Sequence, residues 1–301
     1  MAGFGISVGS YFSVEGEPLV KRSLVVLCTA VLVSGLLSHA GARNGDEVLR
    51  VADGQRVSLS VMIDDLEGVQ LILVGELHDK ASHHQAQLTV IRALTEAGVS
   101  VAVGLEMFRS DSQAHLNRWV QGQIDEEAFK EVYYANWSSD WELYRDILLY
   151  AREAEIPLIG LNISRDISRK VAEQGFSSLT PEELGQLPPV SCSVDDTYMA
   201  FIRRAFGLHG HDTEKSFTHF CEAQIVWDTA MASNLLTFLG KNPDYTMVVL
   251  AGSGHAWKRG IPEQVSRRSD TSYRVILPEI PERLESKDVT SEDADYLWLG
   301  L

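Results

Sequence analysis

Leu71-Ile-Leu-Val-Gly-Glu-Leu-His-Asp79, followed at once by His83-His84-Gln85, and the distant Val248-Val-Leu-Ala-Gly-Ser-Gly-His-Ala256 decide how this chain folds. Each is an apolar run that stops abruptly at glycine and ionisable residues. Each is too short for a solvent-facing helix and too apolar for a half-exposed strand, which leaves a buried strand of a parallel sheet. Open α/β sheets bind ligands at the carboxyl ends of such strands. His78 and His255 are therefore expected to meet at one edge.

Working outward, residues 69–74 read as the first strand. A helix over 83–97 follows, capped by Ser82 and stopped by Gly98, then a strand over 99–105 ending in Glu106. Strand, helix and strand at this spacing form a βαβ unit. Helical patterns cover 111–122, 125–134 and 140–155, a region dense in Trp and Tyr that suggests a pocket wall or an interface. A strand over 156–161 ends in Asn162 and Arg165. Residues 176–211 read as a helical lobe over the sheet edge, with a helix over 195–206. A long helix over 212–239 carries Phe217, Gln224, Asp228 and Met231 near one face, flanked by Phe220 and Trp227. Strands over 246–250 and 273–277 complete the pattern. A short hairpin is expected within 44–60, and the partly apolar tail 281–301 is expected to dock. The expected fold is α/β, a mainly parallel sheet flanked by helices, with the helical lobe over the carboxyl edge.

The amino terminus reads differently. Lys21-Arg22 precede an apolar run from Leu24 to Leu37 and the small-residue pattern Ala40-Gly41-Ala42. This is the layout of a secretory signal cleaved after Ala42. The run is shorter than the ~20 residues of a membrane-spanning helix. A start at Leu19 or Val20 would make it an ordinary signal peptide, with residues 1–19 lying upstream. The expected organisation is an export signal over 1–42 and a single α/β domain over 43–301. Cys192 and Cys221 would then meet an oxidising compartment, where a disulfide and two free thiols are both open. A net charge of −16 with no basic tract excludes nucleic acid as a partner.

Four strand ends thus carry polar chemistry: Glu76 and His78, Glu106, Asn162 and Arg165, and His255. His83 and His84 open the following helix, and Gln224 and Asp228 face the same edge from the long helix. Two histidines and two glutamates can hold a divalent metal, or act as a base with its orienting carboxylate. Neither HExxH nor GxSxG in its frame is present, and no GxGxxG follows the first strand.

Val74-Gly-Glu-Leu-His-Asp79 with His83-His84-Gln85, Leu105-Glu-Met-Phe108, Gly160-Leu-Asn-Ile-Ser-Arg165, Ala223-Gln224…Trp227-Asp228…Met231-Ala232 and Ala251-Gly-Ser-Gly-His-Ala256…Gly260-Ile-Pro262 together resemble the ChaN haem-binding family. That family belongs to the wider Tiki/TraB and erythromycin-esterase-like superfamily. The resemblance implies an exported protein, periplasmic or outer-membrane-associated and often lipid-anchored, that binds haem in iron uptake. For haem the candidate contacts are Glu76, His78, His83, His84, Glu106, Asn162, Arg165, Gln224, Asp228 and His255, and a homodimer on haem binding is expected because a flat macrocycle with exposed apolar faces can recruit a second copy. Phe217, Trp227 and Met231 are expected as walls, and Arg109 or Arg165 as a propionate partner. The axial ligand stays open among His78, His83, His84, His209, His211, Tyr133, Tyr134 and Tyr198. One departure concerns membrane association: Leu27 precedes Cys28 where a lipidated cysteine needs a small residue. The same superfamily includes hydrolases, so Glu76, His78, Glu106 and His255 are also read as an alternative hydrolytic set, with or without a metal.

Overall fold

The two apolar runs are neighbours in one sheet, with Leu71 paired to Met247 and Glu76 to Gly252 in parallel register. The computed structural model describes residues 47–191, 194–206 and 214–301. These lie within one compact unit, Ala42–Leu301. The hairpin β1 (Glu47–Arg50) and β2 (Gln55–Ser58) leads into helix α1 (Leu59–Leu66). There follow β3 (Leu71–Glu76), α2 (Ala81–Glu96), β4 (Val101–Arg109), α3 (Gln113–Val120), α4 (Glu126–Asn136), α5 (Trp141–Glu153) and β5 (Leu158–Asn162). Then come α6 (Arg165–Gln174), α7 (Pro181–Leu184), α8 (Asp196–Phe206), α9 (Glu214–Lys241) and β6 (Thr246–Gly252). The short turn α10 (Ser253–Ala256), α11 (Ile261–Ser266), β7 (Tyr273–Pro278) and β8 (Tyr296–Trp298) close the chain.

Among the described residues the sheet has eight strands, in the order β2-β1-β8-β7-β3-β6-β4-β5. The six from β8 to β5 are parallel, and the β1–β2 hairpin adds antiparallel to β8. Alternation along each strand feeds two cores. Ile72, Val74, Val103, Leu105, Val248 and Leu250 pack under α1, α2, α4 and α5. Leu71, Leu73, Met247, Val249 and Ala251 pack under α8, α9 and α11. Burial on both faces is why these strands read as continuous apolar runs.

Several boundaries differ from the sequence reading. β3 extends through Glu76, so that carboxylate belongs to the strand and not to the loop. Helix α2 begins two residues before the expected start: its N-cap is Lys80, which makes no side-chain cap, and Ser82 lies inside the helix. Gly98, at φ +83°, does end it. Helix α1 was not expected; its Ser58 cap accepts from the Val61 N–H. The tail docks as a sheet strand, β8, between β7 and β1. The aromatics of 111–155 are mostly core: Trp119, Phe129, Tyr133, Trp141 and Tyr144 are fully buried. Cys192, His209 and His211 lie outside the described residues, as does the proposed signal, while Cys221 is buried under α9's side of the sheet.

The free edge of β5 is occupied by side chains. Gln113 Nε2 donates to the Leu158 carbonyl at 2.8 Å, and its Oε1 accepts from the Gly160 N–H at 3.0 Å. Asn234 donates to the Leu161 carbonyl at 2.7 Å. One carboxamide thus mimics a neighbouring strand and blunts an edge that would otherwise template association. Gln113→Ala is expected to lower stability by about 1–3 kcal/mol, the cost of stranding two partly buried backbone groups. Denaturant unfolding measures it, and an unchanged midpoint would mean that water replaces the amide fully.

Candidate functional site

Glu76 ends β3 fully buried, so its carboxylate must be paired. Oε1 accepts from the Tyr144 hydroxyl and lies 2.7 Å from His78 Nδ1. Oε2 accepts from Gln87 Nε2 at 2.6 Å and lies 3.3 Å from His84 Nδ1. Burial opposes ionisation, but the hydrogen bonds from His78 and His84 outweigh it and hold Glu76 well below the usual carboxylate range. Burial likewise disfavours the His78 imidazolium, yet the bond to Glu76 and the charges of Glu106, Glu76 and Asp79 raise it to about 9. Burial and the charge of Glu76 push the Tyr144 hydroxyl far up, which keeps it a donor.

A second pair sits across the same edge. β6 ends at Gly252, and the α10 turn that follows presents His255. His255 Nδ1 lies 2.7 Å from Asp228 Oδ1 on α9, with the buried Tyr198 of α8 beside Asp228. Burial pushes Asp228 up to about 6 despite the charge of His255. Burial works against the His255 imidazolium, but Glu106 and Asp228 together raise its pKa.

Glu106, at the end of β4, joins the two pairs. Its Oε2 accepts from the Gly252 N–H at 2.7 Å, and its Oε1 is 3.7 Å from His255 Nε2. A side chain at position 252 would put its Cβ 3.1 Å from His78 Cε1 and Nε2, so glycine there makes room for the imidazole. His78 and His255 thus flank one carboxylate at one edge. The Asn162 amide donates to the Glu106 carbonyl at 2.8 Å.

Beside this cluster opens a cavity of about 360 Å³. Of the residues singled out in the sequence for haem, Glu106, Asn162, Arg165 and Gln224 line it. Its apolar wall is Met107, Trp137, Ile163, Ala172, Phe220 and Trp227, and its cations are Arg109, Arg165 and Arg169. Trp137 packs edge-on against His78, ring centroids 5.0 Å apart, and Trp227 against His255 at 5.5 Å. Two expected wall residues are elsewhere: Phe217 and Met231 are buried in the core beneath α9, because the cavity takes the Phe220–Gln224–Trp227 face instead. His83 also faces away, its Nδ1 accepting from the Leu77 N–H at 2.8 Å. Tyr133 is core, and Tyr134 is half-exposed with its hydroxyl accepting from the Trp141 N–H at 3.2 Å; neither lines the cavity. Tyr198 is buried beside Asp228.

The sequence reading missed Gln87, Tyr144 and Asn136. Gln87 follows His83 and His84 by four and three residues, a helical spacing that could have found it. Tyr144 comes from a distant helix and leaves no local pattern. Asn136 carries a tertiary role: its Oδ1 accepts from the Arg109 N–H at 3.1 Å and its carbonyl from Arg165. Among the described residues, no group of three or more His, Cys, Asp or Glu side chains is disposed to hold a metal ion.

The family model for haem-binding uptake proteins of the Tiki superfamily, ChaN, matches residues 62–265. The chain belongs to that family. Its fold is similar to that of ChaN of Campylobacter jejuni, described with cofacial haem binding, at a TM-score of 0.67 and 21% identity over 84% of this chain and 96% of that one. It is 23% identical over 254 residues to the chloroplastic Protein RETICULATA-RELATED 5 of Arabidopsis thaliana, covering 78% of this chain. This chain spans about a third of that protein's length, 34%. A looser likeness, TM-score 0.45 and 16% identity over 73% of this chain and 72% of the other, is to an erythromycin esterase mutant, EreC.

Burial holds the His83 pKa down at about 4. The folded state therefore resists a proton that the unfolded chain accepts near 6.5. Stability is unaffected by His83 above that value and falls as pH drops from about 6.5 to 4. His83→Asn keeps an acceptor for the Leu77 N–H and removes the titration. Its stability relative to the parent is expected to rise on acidification across that window, as read by urea unfolding. A constant difference would contradict the neutral, desolvated imidazole.

Proposed function

We propose that this protein binds haem as cargo at the arginine-rimmed aromatic cavity on the carboxyl edge of the sheet. The observation that carries the reading is the cavity's composition. Three arginines and a single acid line it, in a chain of net charge −16, beside a wall of two tryptophans, a phenylalanine, a methionine and an isoleucine. Apolar walls with a few placed charges suit a flat, amphipathic anion. Family membership supplies the ligand class. Bound haem would supply an iron centre and two carboxylates. Trp137, Phe220 and Trp227 would hold its faces, and Arg165 and Arg109 its propionates. We assign the iron side to His78: its side chain is 37% exposed, its ring touches the cavity wall, and Glu76 takes its Nδ1, as carboxylates do behind metal-ligating histidines. The amino-terminal pattern supports a role in haem or iron uptake outside the cytoplasm, in the periplasm or at the outer membrane. No described helix is long and apolar enough to cross a membrane. We further propose that a second copy covers the exposed part of the macrocycle.

Stoichiometric haem should give a Soret band distinct from haem in buffer, altered in His78→Ala, with affinity about tenfold or more lower in Arg165→Ala. Sedimentation should show dimer with haem and monomer without. An unchanged haem spectrum would reject the binding reading, and a monomer with haem bound would reject the dimer.

The Glu76–His78 and Asp228–His255 pairs flanking Glu106 favour a second reading, a hydrolase. At neutral pH His78, with its pKa of about 9, is a proton donor, fit to protonate a leaving group. Ester or peptide turnover that His78→Ala abolishes would support it, and no turnover across a broad substrate panel would reject it.

A further inference from the structure

Among the described residues Glu106 is the only acid on the cavity lining, and its two oxygens are not equally satisfied. Oε2 accepts from the Gly252 N–H at 2.7 Å. His255 Nε2 stands 3.7 Å from Oε1, outside hydrogen-bonding range, and among the described residues no other donor reaches that oxygen. His255 is not free to close the gap, because Nδ1 of the same ring is held 2.7 Å from Asp228 Oδ1. His78 is tied in the same way, its Nδ1 2.7 Å from Glu76 Oε1. Neither imidazole lines the cavity, whereas Glu106 does, with 4% of its side-chain surface still open. The side from which Oε1 gains a donor is therefore the cavity. Leaving such an oxygen without one is costly.

We propose that the same cavity takes open-chain, iron-free tetrapyrroles (bilins), whose pyrrole-type N–H groups donate to Glu106 Oε1 while a propionate meets Arg165. This rests on the reading of the cavity as a tetrapyrrole site. Haem itself leaves Oε1 unanswered, because its nitrogens are all bound to iron and no N–H remains. Opening the ring and removing the iron restores N–H groups and keeps both propionates. A bilin therefore presents donors along its inner side and carboxylates at its rim. The cavity has the matching polarity. Glu106 is buried, and the exposed Arg165 and Arg169 line the same space. Arg109 shares its charge with Asp111 at 3.1 Å and Arg169 with Asp166 at 2.8 Å. Arg165 bonds the neutral Asn136 carbonyl, which leaves its charge open to an anion. An N–H donated to a carboxylate is charge-assisted and stronger than a neutral pair. Trp137, Phe220 and Trp227 supply apolar surface for the conjugated rings.

The test titrates biliverdin into the full chain and follows visible circular dichroism, which free biliverdin, an equal mixture of mirror-image helices, does not show. An induced band that saturates at one ligand per chain is expected, and haem should displace it from the same site. No induced band, in a protein that still gives the bound Soret spectrum with haem, would overturn the proposal and leave the haem reading standing. A band that haem does not displace would overturn it too, since the bilin would then lie elsewhere. If the folded parent binds neither ligand, the haem reading itself fails, and the proposal with it. Glu106→Gln, checked for folding by far-ultraviolet circular dichroism, keeps an oxygen for the Gly252 N–H and turns an amide N–H toward the cavity. It should lower the affinity for biliverdin relative to haem by about tenfold or more, and a ratio within about twofold of the parent's would overturn the role given to Glu106. The parent's induced band and its loss to haem are read without any variant, so they decide the matter if Glu106→Gln does not fold.

Discussion

The register between β3 and β6 places Glu76 opposite Gly252, and the site depends on that pairing. With β4 parallel on the far side of β6, Glu106 reaches the Gly252 N–H. The absent side chain at 252 admits the ring of His78, and the turn immediately after it delivers His255. A backbone amide and an empty space at one residue thus join three strand ends. No loop flexibility is needed to assemble the cluster, because parallel strands must finish at a common edge.

Once those groups are buried, electrostatics dictates their partners. A carboxylate as deep as Glu76 is tolerated only with its lone pairs filled, and four side chains fill them: Tyr144, His78, Gln87 and His84. Removing one partner of such a network costs more than an average hydrogen bond, since the remaining charge stays desolvated. The opposite pair is less fully compensated. Burial pushes Asp228 up to about 6, while the charges of Glu106 and Asp228 raise His255 against its own burial. The two pairs face each other across Glu106, with the cavity opening beside them.

Much of this was legible in the sequence because burial on both faces of a parallel sheet leaves continuous apolar runs that end in polar residues. The runs around Leu73 and Val249 needed no structure to be read as strands, and their ends named Glu76, His78, Glu106 and His255. The long helix was legible too, but its facing was not. A spacing argument puts Phe217, Gln224, Asp228 and Met231 near one stripe, and only the crossing of α9 over the sheet shows that Phe220, Gln224 and Trp227 meet the cavity while Phe217 and Met231 enter the core. His83 and His84 look alike in sequence. Helical rotation sends the first to a backbone amide and the second to Glu76. Tyr144 was beyond reach, since its contact with Glu76 spans 68 residues and leaves no local trace.

A crystal structure of the protein loaded with haem tests the central claim most directly. An edge of the macrocycle is expected between Trp137, Phe220 and Trp227, with a carboxylate at Arg165 and with Glu106 beneath it. Haem found against another face of the molecule, away from the carboxyl ends of β3, β4 and β6, would contradict it.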